Sequence, residues 1–330
     1  MRAVVITEPG EAEVLQLQDR PLPVPARGEV RVRIRACAVN RADLLQRQGF
    51  YPAPPGAPPD IPGLEFAGEL DALGDGVAET SDLALGQPVF GLCAGGAYAE
   101  AVVVHSREVA RLPRGMSFTD AAAIPEAFVT AWDALLVQAG LRAGESVLIH
   151  AAGSGVGTAA VQIARTVGAR VLGTARTAEK LQRALALGLD EGVQVADGAG
   201  FASAILQATG KRGVDVVLEL IGGRYLAEDL ACVGQRGRIV LVGLLAGARA
   251  ELDLRPLLNK RARIFGTVLR SRPLEEKIEA VQQLARHLVP LFERGALAPV
   301  VHQVLPLAQA ADAHELVASG STFGKVVLAV

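Results

Sequence analysis

The chain has 330 residues, half of them hydrophobic and 21% charged, with a formal net charge of −2. That length fits two domains. The charge balance gives no electrostatic reason to bind nucleic acid or an anionic membrane. No apolar run reaches the roughly 18–20 residues of a spanning helix. Aromatic residues are only 4% of the chain, so Ala, Leu and Val must fill the core. The opening stretch, MRAVVITEPGEAEV, meets Pro9 and acidic residues too early for a secretory signal. Cys37, Cys93 and Cys232 are widely spaced and suggest neither a disulfide framework nor a zinc ribbon. The expected compartment is the reducing cytoplasm.

In chain order, residues 1–115 read as short strands broken by turns. EVRVRIRACAV (29–39) alternates in its first half as a half-buried strand does, and LEFAGELDALG (64–74) and AYAEAVVVH (97–105) look similar. Between them YPAPPGAPPDIPG (51–63) carries six prolines in thirteen residues. It is read as an ordered loop, with a polyproline ligand as the alternative. Helical character begins near Thr119. From residue 146 the rhythm changes: SVLIH, a helix from Thr158, ARVLGTA (169–175), a helix at 178–187, VDVVLEL (214–220), RIVLVG (238–243) and RIFGTVL (263–269). Apolar β-branched runs alternating with helices predict a parallel, doubly wound sheet. Residues 273–294 predict a long amphipathic helix. GKVVLAV (324–330) reads as a strand that pairs with the first, β-rich part. The fold class is therefore α/β, with a nucleotide domain inserted into a split β-rich domain.

HAAGSGVGTAAVQIAR (150–165) has the position of a phosphate-binding loop between strand and helix. The dinucleotide fingerprint G-x-G-x-x-G sets glycines at the tight turn, the pyrophosphate approach and the helix–strand contact. Those places here read Ala152-Gly153-Ser154-Gly155-Val156-Gly157, and only the third glycine is kept. Ala152 and Ser154 are small enough to leave the loop passable, and Gly155 lets backbone approach a phosphate. Helix-start amides would face the pyrophosphate. The alternative is a glycine turn with no ligand. The end of the second strand adds to the case for a nucleotide. NAD-binding chains place an acid there for the ribose 2′-hydroxyl. This chain has Ala175, Arg176, Thr177 and then Lys180. An acid repels a 2′-phosphate, whereas a guanidinium grips it with two bonds. The predicted cofactor is NADPH; the alternative leaves Arg176 and Lys180 as solvated helix-start charges.

The chain resembles the medium-chain dehydrogenase/reductase superfamily in its zinc-free quinone oxidoreductase branch. The match spans almost the whole chain. Its most specific pieces are NRADLLQRQGFY (40–51), AAAIPEAFVTAW (121–132), VLIHAAGSGVGTAA (147–160), LRSR (269–272) and GKVVL (324–328). The branch's loop pattern, A-x-x-G/S-x-x-G, is met by Ala151, Ser154 and Gly157. The resemblance implies a GroES-like catalytic domain (1–122 and 270–330) and a Rossmann-like domain (123–269), with substrate and nicotinamide in the cleft between them. It also implies that Thr130 lies against the nicotinamide. Gly243, Leu244, Leu269, Arg270 and Ser271 would line the cofactor path, and Lys325 of the GKVVL motif joins the cofactor-binding set. One departure stands out. Relatives often offer a Tyr near the 2′-phosphate beyond the second strand, where QVAD (194–197) here puts Val195. Relatives also pair the last strand of the Rossmann-like sheet across a two-fold axis, which implies a homodimer.

Zinc enzymes of this superfamily use a Cys, a His and a second Cys or acid to polarise a carbonyl. By motif position this chain has Asn40, Leu64 and the vicinity of Pro125 and Glu126 instead, and it lacks a four-Cys lobe near 93–115. His105, His150, His287, His302 and His314 are scattered. Catalysis without metal is therefore expected. An electron-poor quinone or enone needs less help than an alcohol. Asn40 could donate an amide hydrogen bond to the acceptor, and Tyr51 could offer a phenol and a flat stacking surface. The alternative for both is loop anchoring. Asp43 and Gln46 read as orienting or loop-fixing groups. The expected activity is NADPH-dependent reduction of quinones. The alternatives are an alkenal/enone reductase on the same fold and a non-catalytic NADPH-binding protein.

Overall fold

The alternating run at 29–39 forms an eleven-residue strand that organises one half of the molecule. In chain order the first strands are β1 (Arg2–Ile6), β2 (Leu15–Asp19), β3 (Glu29–Val39), β4 (Glu65–Leu73), β5 (Pro88–Leu92), β6 (Ala101–His105) and β7 (Val109–Arg111). Six more follow: β8 (Ser146–Ile149), β9 (Arg170–Ala175), β10 (Glu191–Gln194), β11 (Val214–Glu219), β12 (Val233–Leu241) and β13 (Arg263–Gly266). The last two are β14 (Val301–Pro306) and β15 (Lys325–Ala329). The computed structural model describes residues 1–195 and 200–330. It divides into two compact units, Met1–Val129 with Leu269–Val330, and Thr130–Val268. The chain changes unit inside the helix Pro125–Trp132, a few residues beyond the break read from the sequence.

In the first unit the sheet runs β14-β15-β3-β4-β5-β7, with β6 also on β3. β15 pairs antiparallel with β3 through Val326↔Val39, and β3 pairs antiparallel with β4 through Cys37↔Phe66. This register has a chemical consequence. It sets the end of β3 beside the beginnings of β4 and β15, so Asn40, Glu65 and Lys325 converge. The core below is built from Val30, Val32, Ile34, Phe66, Leu70, Val89, Tyr98, Val326 and Leu328, all 2% exposed or less.

In the second unit all six strands are parallel, in the order β10-β9-β8-β11-β12-β13. Central strands are apolar on both faces; Val147, Leu148, Ile149, Val216, Val217 and Leu218 are fully buried, as helices on both sides of a parallel sheet demand. The order reverses between β8 and β11. In such sheets ligands bind beyond the carboxyl ends of the strands at that point.

Several sequence expectations shift in detail. Only Ala101–His105 of 97–105 joins a strand, because the Ala97 and Tyr98 amides bond Gly63 and Pro62 carbonyls instead. β13 stops at Gly266 rather than at Leu269. The helix expected over 273–294 is broken into Leu274–Gln283, a wider turn at Leu284–Leu288, and Val289–Glu293. Pro290 explains the break: it lacks an amide proton and its ring crowds the preceding turn. No helix among the described residues is long and apolar enough to cross a membrane.

Candidate functional site

The first unit gathers a polar cluster at the strand ends. Lys325 Nζ donates to Glu65 Oε1 at 2.8 Å, Asn40 Oδ1 at 2.5 Å and Val39 O at 3.0 Å. Glu65 is fully buried, and its oxygens also accept from Asn40 Nδ2 and from the Glu126 amide, both at 2.8 Å. Asn40 Nδ2 reaches Ala38 O at 3.3 Å as well. Both amide protons of Asn40 are therefore engaged inside the protein, so the donor that the sequence offers to an acceptor is committed to Glu65. Lys325 sits in this network with its three protons used.

Beside it, Asp43 is wholly buried on the helix Arg41–Arg47. It accepts from the Asn40 amide (2.7 Å), the Gly63 amide (3.0 Å) and, more loosely, Tyr98 Oη (3.4 Å). Burial pushes its carboxyl up to about 6 despite these donors. Gly63 has φ +100°, and a Cβ there would stand 2.6 Å from the Tyr98 ring, so only glycine can bring its amide to Asp43. Arg270 fastens the proline-rich loop. Its guanidinium donates to Gln46 Oε1 (2.6 Å), Ala94 O (2.8 Å) and Tyr51 O (3.2 Å) and lies 5.2 Å from the centre of the Tyr51 ring. Gln46 Nε2 in turn donates to Pro59 O at 3.2 Å. Asp43 and Gln46 thus fix loops. Tyr51 stays partly exposed, held by its backbone and by the cation against its face. Leu269 is buried and Ser271 is exposed on either side of Arg270.

Zinc, which the superfamily's alcohol dehydrogenases carry, does not fit these residues. Asn40 and Leu64 supply neither thiolate nor imidazole, and an ammonium already lies against Asn40 and the adjoining Glu65. Among the described residues one group of His, Cys, Asp and Glu side chains could share an ion: His150, Glu219 and Asp229, in the second unit. There His150 Nδ1 meets Thr174 Oγ1 and Nε2 meets Asp229 Oδ1, each at 2.8 Å, and Glu219 Oε2 lies 3.8 Å away. Phe201 and Tyr225 close the ring edges. Burial pushes His150 down to about 4 and raises both carboxyls. A neutral imidazole beside protonated acid is a hydrogen-bonded core cluster tying β8, β9 and the helix Tyr225–Cys232 together. Glu219 Oε1 also accepts from the Ile221 and Gly222 amides, which ends β11.

The loop after β8 lies at the switch point of the parallel sheet. Ser154 caps the helix Gly155–Val167, its Oγ accepting from the Gly157 amide at 3.0 Å. A Cβ on Gly157 would stand 2.2 Å from Ala151 O, so helix and loop can approach only at a glycine. Ala151 takes the left-handed turn itself, at φ +47°. Ala152 is buried; Gly153, Gly155 and Val156 complete the turn. Ser154 takes up the Gly157 and Thr158 amides, which leaves those of Gly155 and Val156, at the start of a thirteen-residue helix, as the ones a pyrophosphate could use. At the end of β9, Arg176 is exposed, and Lys180 lies in the first turn of Ala178–Ala186. Partial burial and then the Arg176 charge lower the Lys180 ammonium. Two cations thus stand close together at a strand's carboxyl end. Val195 is buried; Ala196 and Asp197 of the QVAD stretch lie outside the described residues. Gly243 packs on the turn after β11, where a Cβ would meet Leu220 O at 2.5 Å, and Leu244 is exposed beside it. Thr130 is partly exposed on Pro125–Trp132.

Glu65, Glu219 and Asp229 take site or cluster roles that the sequence does not announce, and Glu126 enters it only at the place of a zinc ligand. The available signal was a carboxylate inside an otherwise apolar strand or helix.

Family models match in two places. The alcohol dehydrogenase GroES-like domain matches residues 26–114, and the zinc-binding dehydrogenase model matches 155–286. A quinone oxidoreductase of Lama guanicoe is 38% identical over 331 residues, covering 99% of this chain and 97% of that one. Among solved structures, an NAD-dependent alcohol dehydrogenase is 35% identical with a TM-score of 0.87, covering 100% of both chains. A mycobacterial protein complexed with NADPH is 30% identical with a TM-score of 0.89, again over 100% of both.

Proposed function

Because this chain belongs to the quinone oxidoreductases of the medium-chain dehydrogenase/reductase superfamily, an oxidoreductase family, we propose that it reduces quinones with NADPH and without a metal. The observation that carries this reading is the Lys325–Glu65–Asn40 network. An internal ammonium neutralises the carboxylate at the strand ends, which leaves no open-sided metal to stabilise an alkoxide. The acceptor must then be one whose reduced oxygen is a weak base, as a quinone's is.

When bound, the nicotinamide supplies two electrons and a hydrogen. The chain's own work is to hold and orient. The Ser154-capped turn, with Gly155, Val156 and Gly157, would seat the pyrophosphate. Arg176 and Lys180 would hold the 2′-phosphate, and Thr130, Gly243 and Leu244 would border the cofactor. Tyr51 would give the acceptor ring a flat wall, made rigid by Arg270. Asp43 and Gln46 would keep that loop in place.

The test is NADPH consumption with 1,2-naphthoquinone, 1,4-benzoquinone and 2-alkenals, before and after dialysis against a strong chelator. Quinone turnover that survives chelation is the expected result. Preference for alkenals would make the chain an enone reductase. Binding of NADPH with no turnover would make it a binding protein.

A further inference from the structure

Glu126 begins the helix Pro125–Trp132 and is only partly buried; its amide and the Asn40 side chain both bond Glu65, and its charge is felt at Tyr51. Its backbone amide is spent on Glu65, but among the described residues its carboxyl has no hydrogen-bond partner. The charges around it do not leave it a counter-ion. Lys325 is taken by Glu65, and Arg270 is spread over Gln46, Tyr51 and Ala94 near the buried Asp43. Three carboxyls thus face two cations, and the unpaired one is the one that reaches solvent. We propose that Glu126 carries a proton at neutral pH and donates it to the oxygen of the reduced acceptor, completing the reaction.

Burial raises the Glu126 carboxyl to about 8; Glu65 and Asp43 push the same way, while Lys325 and Arg270 oppose them. It is close enough to Tyr51 to raise that phenol too, though burial is the larger cause there. The step balances. The reduced dinucleotide gives the acceptor two electrons and one hydrogen, leaving one acceptor oxygen anionic. The O–H bond of Glu126 breaks, a new O–H bond forms on that oxygen, and Glu126 is left as a carboxylate. Water then returns its proton. A phenol-like oxygen has a pKa near about 10, so transfer from Glu126 runs downhill. Tyr51, whose phenol is raised, is a poorer donor and keeps its place as a wall.

This inference rests on the quinone-reductase reading, so its test has one arm that needs no turnover. In the cofactor-free protein, carbon-13 NMR of labelled glutamate should show two carboxyls still protonated at pH 7, those of Glu126 and of the buried Glu219. The first of these signals should be missing from Glu126→Gln, which keeps the second, and should titrate at lower pH in Glu65→Gln. In the loaded enzyme, kcat should fall as pH rises through about 8. Glu126→Gln should lower kcat about a hundredfold, the low end for general acids. It should also lose the high-pH limb and leave the Kd for NADPH unchanged. Glu126→Asp should restore part of the rate. An ionised Glu126 at pH 7, or Glu126→Gln keeping wild-type kcat and its high-pH limb, overturns the inference. A wild-type enzyme that reduces no quinone, with the NMR result as expected, overturns the functional reading instead.

Discussion

Lys325→Met tests the centre of the first unit. The substitution keeps the length of the side chain and removes the ammonium. Glu65, fully buried, keeps two donors, Asn40 Nδ2 and the Glu126 amide, but loses its ion pair with Lys325. Asn40 Oδ1 and Val39 O each lose a donor as well. Breaking a buried pair by deleting one partner costs about 3–5 kcal/mol, and the two acceptors that lose this donor add to it. Urea unfolding followed by far-UV circular dichroism reads this directly. The single tryptophan, Trp132, belongs to the other unit, so its fluorescence should report a separate and less shifted transition. Glu65→Gln alone should also destabilise, and the double variant should lose well less than the sum of the two single losses. A Lys325→Met loss under about 1 kcal/mol, or strict additivity in the double variant, would show that the pair is not a coupled buried unit.

Arg176→Ala should weaken NADPH binding about ten-fold, or ~1.4 kcal/mol, and leave NADH nearly untouched. Charge-assisted bonds of roughly 1.5–3 kcal/mol are reduced at so exposed a site, and rising salt should erode the preference further; nicotinamide fluorescence titrations at two salt concentrations decide it. Tyr51→Ala should lower kcat/KM for quinones by about ten-fold while NADPH affinity holds, the scale of one aromatic contact; a loss confined to cofactor binding would put Tyr51 on the wrong side of the reaction. β13 is an edge strand of the parallel sheet, with Val268 exposed just beyond it, and such edges call for a partner. We expect a homodimer, and a monomer at micromolar concentration in sedimentation would refute it.

What could be read from the sequence, and what could not, follows the range of the interactions. The parallel sheet was legible because SVLI, RVLGTA and VDVVLE are each apolar runs whose meaning is local. The loop at 150–157 was legible for the same reason. Even there Ser154 was read only as small, whereas its hydroxyl caps the helix, a role that needs the turn to exist first. Lys325 shows the other case. Its motif grouped it with the cofactor, but its partners Asn40 and Glu65 lie 285 and 260 positions away. They meet only because β15 pairs antiparallel with β3 in the register Val326↔Val39. His150 read as one of several scattered imidazoles, yet strand β9 and the helix Tyr225–Cys232 bring Thr174 and Asp229 to its two nitrogens. Glu65 and Glu126 carried a signal, a carboxylate within apolar surroundings, but its sense depended on charge balance. A buried carboxylate is ionised if a cation is spared for it and protonated if none is. That count can be made only after the strand ends have been brought together. It separates Glu65, an anchor, from Glu126, a proton carrier, although the two stand one hydrogen bond apart.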